Sequence, residues 1–402
     1  MSVTLAERSP ELGGFYVPAF EVRIEGAGLP SDVLRDVISV TYRDSIEEID
    51  SFDLTVNNWD DRLNQFKYIG SEPRDRSSLG AAERARFELF DPCNKTVDLW
   101  LGYAGQLVRM LSGTFTTLEP SFPSSGAPTL TVRGLNALHR LRRRQYTTAW
   151  TAKKDSWIAR NIATLRDRRE RRFPIPIRID ESAMRDEEEL EYVVQDNQYD
   201  IDFLLTRARR RGYVVYLEEA DAERGTPQRL YFGPSENREE PITYELAWGE
   251  SLVDFKPSLT TANQVRSVTV RGWDRRRQRE ISETVSLDDR RIRINRDLHE
   301  VLMDCDPREE QVVHEPVFSR AEARRRATNL LLDRNREMVT ASASTVGLPR
   351  LRAGRRVQIV GVGGRFSGTY FIKSSEHRFD PSGGYTTRFE ARREDQEEGR
   401  AG

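Results

Sequence analysis

Apolar and polar residues alternate strictly through residues 20–25, where Phe20, Val22 and Ile24 interleave with Glu21, Arg23 and Glu25. A period of two with one apolar face predicts a half-buried strand. Residues 37–42 predict a second strand, and Phe52, Leu54 and Val56, separated by Asp53 and Thr55, a third. Strands at 87–90 and 97–103 flank a turn at Asp91-Pro92-Cys93-Asn94. Residues 71–86, with Pro73 and Gly80, read as a loop. Strands at 113–119 and 130–132 continue the series around a Pro/Ser/Gly loop. So many short strands in so short a stretch predict a compact antiparallel barrel or sandwich.

The texture changes after Arg140. Residues 156–165 predict a short helix opened by Asp155 or Ser156, and Pro174 and Pro176 then break the chain. In residues 200–211, Phe203, Leu204 and Ala208 recur at helical spacing, with Asp200 placed as N-cap and Gly212 as left-handed C-cap. Apolar strands at 213–217 and 229–232 follow, so this block reads as α+β.

From Trp248 the chain returns to strand patterns. Residues 265–270 predict a strand ending in Arg271-Gly272-Trp273-Asp274. Residues 275–315 read as charged and irregular, with a strand near 291–294. Residues 319–333 predict a helix: Ser319 caps it, Glu322 completes the capping pattern, and Ala323, Ala327, Leu330 and Leu331 form its apolar stripe. A β-meander closes the chain, with Val357 and Ile359, then Tyr370 and Ile372, then a turn at 381–384 into a strand at 385–391. Leu130-Thr131-Val132-Arg133-Gly134 is echoed by Val268-Thr269-Val270-Arg271-Gly272, which raises the expectation of a duplicated barrel beside that of two unrelated strand ends.

Composition narrows the function classes. The 402 residues are 37% hydrophobic and 32% charged, polar for a globular protein but too apolar for disorder. A net charge of −2 implies no global attraction to nucleic acid or anionic membrane. Cys93 and Cys305 lack metal-like spacing and make no disulfide framework, which points to a reducing site of assembly. The first residues show no secretory pattern, and no apolar run approaches the ~20 residues of a membrane helix. Basic charge is almost all arginine. A GC-rich genome explains that more simply than Arg-lined interfaces, because 65 acidic residues balance 63 basic ones.

Candidate chemistry is sparse. Gly361-Val362-Gly363-Gly364 is followed by a strand pattern, whereas a nucleotide loop needs a helix N-terminus there. His139, His299, His314 and His377 are scattered, and His314-Glu315 lacks a second histidine one helical turn on. His377 reads as a half-buried structural residue. Asp60-Asp61 and Asp200/Asp202 read as turn and capping residues, and the acidic run 186–191 as a solvated face. The triplets Arg142–Arg144, Arg275–Arg277 and Arg324–Arg326 have acidic neighbours, which favours salt-bridged subunit interfaces over a DNA-lined channel. No catalytic, cofactor or metal residue is assigned.

The block 195–217, with Gln195-Asp196-Asn197-Gln198-Tyr199 leading into the helix, resembles the phage late control D family, which includes VgrG-like spike proteins and baseplate central hubs. The strand ending in Gly272-Trp273-Asp274 and the closing pattern Leu351, Gly354, Val357, Gly368, Tyr370, Ile372, Gly384, Tyr385, Thr387, Phe389 extend the resemblance over 16–393. It implies a β-rich α+β fold with two tube-type antiparallel β-barrel domains linked by an α+β segment. The domains expected are a flexible N-terminus (1–15), a first barrel (16–140), an α+β connector (141–247), a second barrel with a helix near 319–333 (248–393) and a disordered tail (394–402). It also implies a non-enzymatic baseplate hub without cofactors. Such a hub joins a hexameric inner tube or tube initiator to a separate trimeric spike in a contractile tail or injection system. The expected partners are itself as a homotrimer, the tube, the spike, other baseplate proteins and effector cargo. Assembly is expected in the bacterial cytoplasm, within a phage tail or phage-tail-like particle, with no membrane insertion. No OB-fold or needle repeats follow, so the spike is expected on another chain. A particle-associated glycan hydrolase and a nucleic-acid-binding adaptor are the alternatives.

Overall fold

A computed structural model of the chain describes residues 17–92, 95–221, 225–235, 242–275, 277–289, 296–305, 308–313, 317–381 and 383–394. The first unit is built from β1 (Pro18–Ile24), β2 (Val37–Ser45), β3 (Ser51–Asn57), β4 (Thr96–Tyr103), β5 (Gln106–Ser121) and β6 (Thr129–Asn136). The alternation that predicted β3 holds residue by residue, with Phe52, Leu54 and Val56 turned into the core. Its core gathers Tyr42, Phe52, Phe115, Leu99 and Met110.

A middle unit follows, with β7 (Tyr146–Lys153), α1 (Asp155–Ile162), β8 (Ile177–Ile179), β9 (Leu190–Gln198), α2 (Asp200–Arg211), β10 (Tyr213–Glu218) and β11 (Arg229–Pro234). β7 and β9 form a two-stranded ribbon, and β8, β11 and β10 a second small sheet. Trp150 and Phe203 stack at 5.6 Å in the core between ribbon and helix. α2 has the bounds expected from its spacing and ends at Gly212 with φ 69°, the left-handed C-cap. Asp200 is not the N-cap. Tyr199 holds that position, and Asp200 is buried in the first turn, taking hydrogen bonds from Arg172 and Gln195.

The last unit begins with β12 (Tyr244–Ala247) and β13 (Leu252–Leu259). It is then interrupted by β14 (Val265–Asp274), β15 (Arg279–Ser286), β16 (Arg308–Val312) and α3 (Arg320–Arg336). It resumes with β17 (Val339–Val346), β18 (Arg356–Val360), β19 (Gly368–Asp380) and β20 (Gly384–Arg393). The interruption has its own core, in which Ala323, Ala327 and Leu331 of α3 meet Val268, Val270 and Ile281. Ser319 caps α3 by accepting from the Glu322 amide at 3.1 Å.

One sheet, antiparallel except where β12 pairs β18, joins the first unit to the last. A sheet of 13 strands runs β13-β17-β20-β19-β2-β3-β6-β5-β4-β1 and ends on the short strand Ala27–Gly28, with β18 attached to β19 and β12 paired in parallel to β18. β19 makes this possible because it is long enough to serve both halves. Its start, Gly368–Phe371, pairs with β18, and its end, from Ser374 to Phe379, pairs with β2. Phe20 of β1 packs on Phe379 at 4.8 Å and brings the first barrel round on itself. The fold is thus β-rich α+β, with two antiparallel barrels sharing a seam.

Several local expectations change. Residues 81–87 are helical (Ala81–Phe87), and 88–90 are turn rather than strand. The stretch 275–315 holds β15, the helix Arg296–Asp304 and β16. The strand expected at 291–294, the N-terminal lead and most of the tail lie outside the described residues. The Val-Arg-Gly echo does not mark equivalent strands, since β6 lies in the large sheet and β14 in the inserted one. It reports a shared local need. A Cβ on Gly134 would come 2.1 Å from the Phe52 ring, and one on Gly272 would come 2.3 Å from Val317. Gly134→Ala is therefore expected to overpack the first barrel by about 1–3 kcal/mol, read from the denaturation midpoint.

Candidate assembly surfaces and the barrel junction

The open face of the shared sheet is a row of alternating charge. Strand register places Asp254 opposite Ser344, Ser344 opposite Arg388, Arg388 opposite Glu376, and Glu376 opposite Arg43. Arg43 bridges Glu376 at 2.8 Å and Asp53 at 2.6 Å; Arg133 then takes Asp53 at 2.7 Å and Glu119 at 4.0 Å. Residues opposed across an antiparallel pair share a face. The row therefore crosses the seam from one barrel to the other. Exposed pairs of this kind contribute about 0–1 kcal/mol each, so their consequence is a wet, patch-free surface rather than stability. An open cleft of about 800 Å³ lies along the row, lined by Arg43, Glu376, Asp254, Lys256, Arg388 and Glu390 among others.

Beneath this face the seam is polar and buried. The Asp44 carboxylate on β2 accepts from Arg352 Nε at 3.0 Å, Ala353 N at 3.2 Å, Ser375 N at 3.1 Å and Ser375 Oγ at 2.5 Å. Arg352 also donates to the Tyr42 hydroxyl. Asp50 accepts from Asn136 Nδ2 at 2.9 Å. Glu219, from the middle unit, accepts from Ser112 N at 3.3 Å and Gln228 Nε2 at 2.8 Å. Burial, and then the Asp44 carboxylate, push Asp50 up to about 8. Burial also raises Glu219. His377 is fully buried rather than half-buried, and that burial lowers it to about 4. Its ring nitrogens meet Tyr385 Oη at 2.9 Å and Leu351 O at 3.0 Å.

Two groups of neighbouring large apolar side chains are among those left exposed. Trp248 and Val253 are 65% and 71% exposed at the β12–β13 corner, where Leu252 pairs with Thr345 beside the exposed Val346. On the outer face of the β7–β9 ribbon, Tyr192 and Val194 are 63% and 44% exposed.

Two of the three arginine runs are partly paired within the chain, and Arg275 of the third lies over the Phe318 ring at 5.0 Å. Arg142 pairs with Asp202, Arg144 with Asp167, Arg324 with Asp289 and Arg325 with Glu188, while Arg326 donates to the Arg210 carbonyl. Within the acidic run, Glu187 is buried and accepts from Ser156 N at the start of α1, so only part of that run is solvated. Asp60 caps a turn by accepting from the amides of Arg62 and Leu63. Residues 361–364 connect two strands. Cys305 is exposed; His314 lies outside the described residues. Among the described residues, no group of three or more His, Cys, Asp or Glu could hold a metal ion, and no helix is long and apolar enough to cross a membrane. The buried Asp44–Arg352 junction and the exposed corner left no signal in the sequence, because partners some 300 residues apart meet only through strand pairing.

A family model described as the Alg8 N-terminal domain matches residues 78–380. The chain belongs to this family. No curated protein matches it. Among solved structures, this Alg8 N-terminal domain chain is similar to a 43 kDa tail protein from a Shewanella oneidensis prophage. That match has a TM-score of 0.63 at 13% identity, covering 94% of this chain and 98% of that one. A tail protein from Neisseria meningitidis gives 0.62 at 14% identity, covering 94% and 97%. An E. coli component of the type VI secretion system, described as structurally similar to the T4 bacteriophage tail proteins gp27 and gp5, gives 0.53 at 11%, covering 93% and 77%. These likenesses establish a shared fold across nearly the whole chain.

Proposed function

We propose that this chain is a non-enzymatic baseplate hub of the late control D type, which joins a hexameric inner tube to a trimeric spike in a contractile tail or injection system. The observation that carries this reading is the tail-protein fold over 94% of the chain, with two barrels merged along one strand. Closed rings repeat one interface around an axis. Three copies of a two-barrel chain present six barrel rims, which is the number a sixfold tube requires. The charged face of the shared sheet suits a water-filled lumen, since it offers no continuous apolar patch and ties Glu376, Arg43, Asp53 and Arg133 into one chain of ion pairs. The exposed apolar corner and ribbon suit contacts with neighbouring subunits, the spike, other baseplate proteins or cargo. Assembly in the bacterial cytoplasm, ahead of incorporation into a particle, fits this reading.

Native mass spectrometry of the purified chain, alone and with a candidate trimeric spike, tests it. The expected species has three times the 46.4 kDa chain mass, alone or once the spike is added. A chain that stays monomeric in both conditions overturns the hub reading.

A further inference from the structure

We infer that the inserted unit, β14 to β16 with α3, is a hinged arm. It rests on the C-terminal end of α2 through ionic and capping contacts, and it swings away about Thr260 and Met338 while its own core and both barrels stay intact.

The hinge lies where the chain enters and leaves the unit. β13 ends at Leu259, β17 begins at Val339, and these two residues pair in register. Thr260 N donates to Met338 O at 2.9 Å, the last rung before the two segments part. Entry and exit side by side leave the unit attached at one edge. Changes in φ and ψ at a few such element-terminal residues are enough to turn a packed body. Asn335 makes the arm move as one piece, because it ties the end of α3 to the start of β14. Its Nδ2 donates to Val265 O at 3.0 Å, and its Oδ1 accepts from Val265 N at 3.2 Å. Beyond that tie the arm has its own sheet and its own core. Leu259, at the hinge itself, packs on both this core and that of the second barrel. Among the described residues, none of the arm enters the core of the middle unit.

Polar contacts hold the arm down. Arg326, Asn329 and Arg336 recur on one face of α3 and reach the last carbonyls of α2. Arg326 Nη1 and Asn329 Nδ2 donate to Arg210 O at 3.1 Å and 3.2 Å, and Arg336 Nη1 donates to Gly212 O at 3.2 Å. Carbonyls at a helix C-terminus lack partners within the helix and carry the negative end of its dipole, so donors and cations suit them. Arg325 adds an ion pair with Glu188 at 2.7 Å. Beside the hinge, Lys373 of β19 meets Glu337 at 2.6 Å. A cleft of about 580 Å³ separates arm and middle unit, lined by Leu190 and Tyr192 of the middle unit and by Arg275 and Phe318 of the arm. Tyr192 and Phe318 are 63% and 43% exposed there, so apolar packing does not close the contact. A single exposed ion pair shifts an equilibrium by about fivefold at most, and salt weakens it further. The docked arrangement therefore gives way as ionic strength rises. Swinging uncovers the end of α2 and both walls of the cleft, which a partner can then reach. The arm hinges in the same way whatever the chain assembles with, so its test stands apart from that of the hub reading.

The test is double electron–electron resonance on the full chain, spin-labelled at Cys305 in the arm and at Asp196→Cys on the ribbon, both exposed positions. Cys93→Ser removes the other thiol, and added unlabelled chain restricts the signal to distances within one chain. Between about 50 mM and about 500 mM salt, the ratio of a longer-distance population to the docked one should rise by about fivefold or more. Arg325→Gln with Arg326→Gln should bring the longer population up at low salt and flatten its salt response, with an unchanged far-ultraviolet circular dichroism spectrum. A single distance that neither salt nor the double variant moves overturns the hinge. So does a longer distance that appears only with loss of the circular dichroism signal, since the arm then unfolds instead of swinging. The wild-type salt response decides the matter if the double variant does not fold.

Discussion

Replacing Asp155 with alanine is expected to destabilise the chain by about 3–5 kcal/mol. Asp155 sits in the first turn of α1 and is almost fully buried. Its carboxylate accepts from Arg207 Nε at 2.7 Å and Nη2 at 3.1 Å, and from Arg211 Nε. Burial alone would push the carboxyl up, but the two guanidinium groups outweigh it and hold it below its usual value. Both arginines project from α2, one turn apart, so a single carboxylate fastens α1 to α2. Removing it leaves two buried or nearly buried guanidinium groups without their anion, which is why the effect exceeds that of any surface pair. Asp155→Asn keeps the shape and tests the charge alone. Chemical denaturation of both variants at pH 7 decides the matter, and a loss below about 1 kcal/mol for alanine would show that the pair is structurally idle. Because the carboxyl is lowered in the fold, its contribution is present above about 3.8 and lost as pH falls further.

The second large effect is expected on assembly rather than folding. Trp248→Ser with Val253→Ser should weaken self-association or spike capture by a factor of about 30 or more, equivalent to about 2 kcal/mol at a hot spot. Both side chains are mostly exposed in the isolated chain, so its own stability should change by no more than about 0.5 kcal/mol. The double variant therefore separates interface from fold. Native mass spectrometry and sedimentation would show a monomeric, fully folded variant beside an assembled wild type. Unchanged assembly would move the interface elsewhere, with Tyr192 and Val194 on the ribbon the next candidates.

The local rules were legible where one face of one element decides the outcome. β3 follows strict alternation, α2 follows its spacing and glycine cap, and α3 follows its Ser319–Glu322 cap. They failed where the environment overrode the pattern. Residues 87–90 read as apolar strand, yet Phe87 ends a helix and Phe90 packs against Tyr68 and Phe115. The charged stretch after β14 reads as irregular because its strands sit at the edges of a small sheet and show few apolar positions. The echo of Val-Arg-Gly marks glycines crossed by a neighbouring side chain, a contact that the strand sequence alone does not reveal.

By itself the sequence determined the β-rich α+β class, the two strand-rich ends around a mixed middle, and the capped helices, because each depends on periodicity and turn chemistry within a few residues. Only the tertiary structure decided that β19 serves both barrels, that Arg43 and Arg352 reach across the seam to Glu376 and Asp44, and that Arg142, Arg144, Arg324 and Arg325 are paired within the chain. Those facts rest on which strands become neighbours, and strand neighbours hundreds of residues apart are chosen by the packing of whole faces, which leaves no local trace.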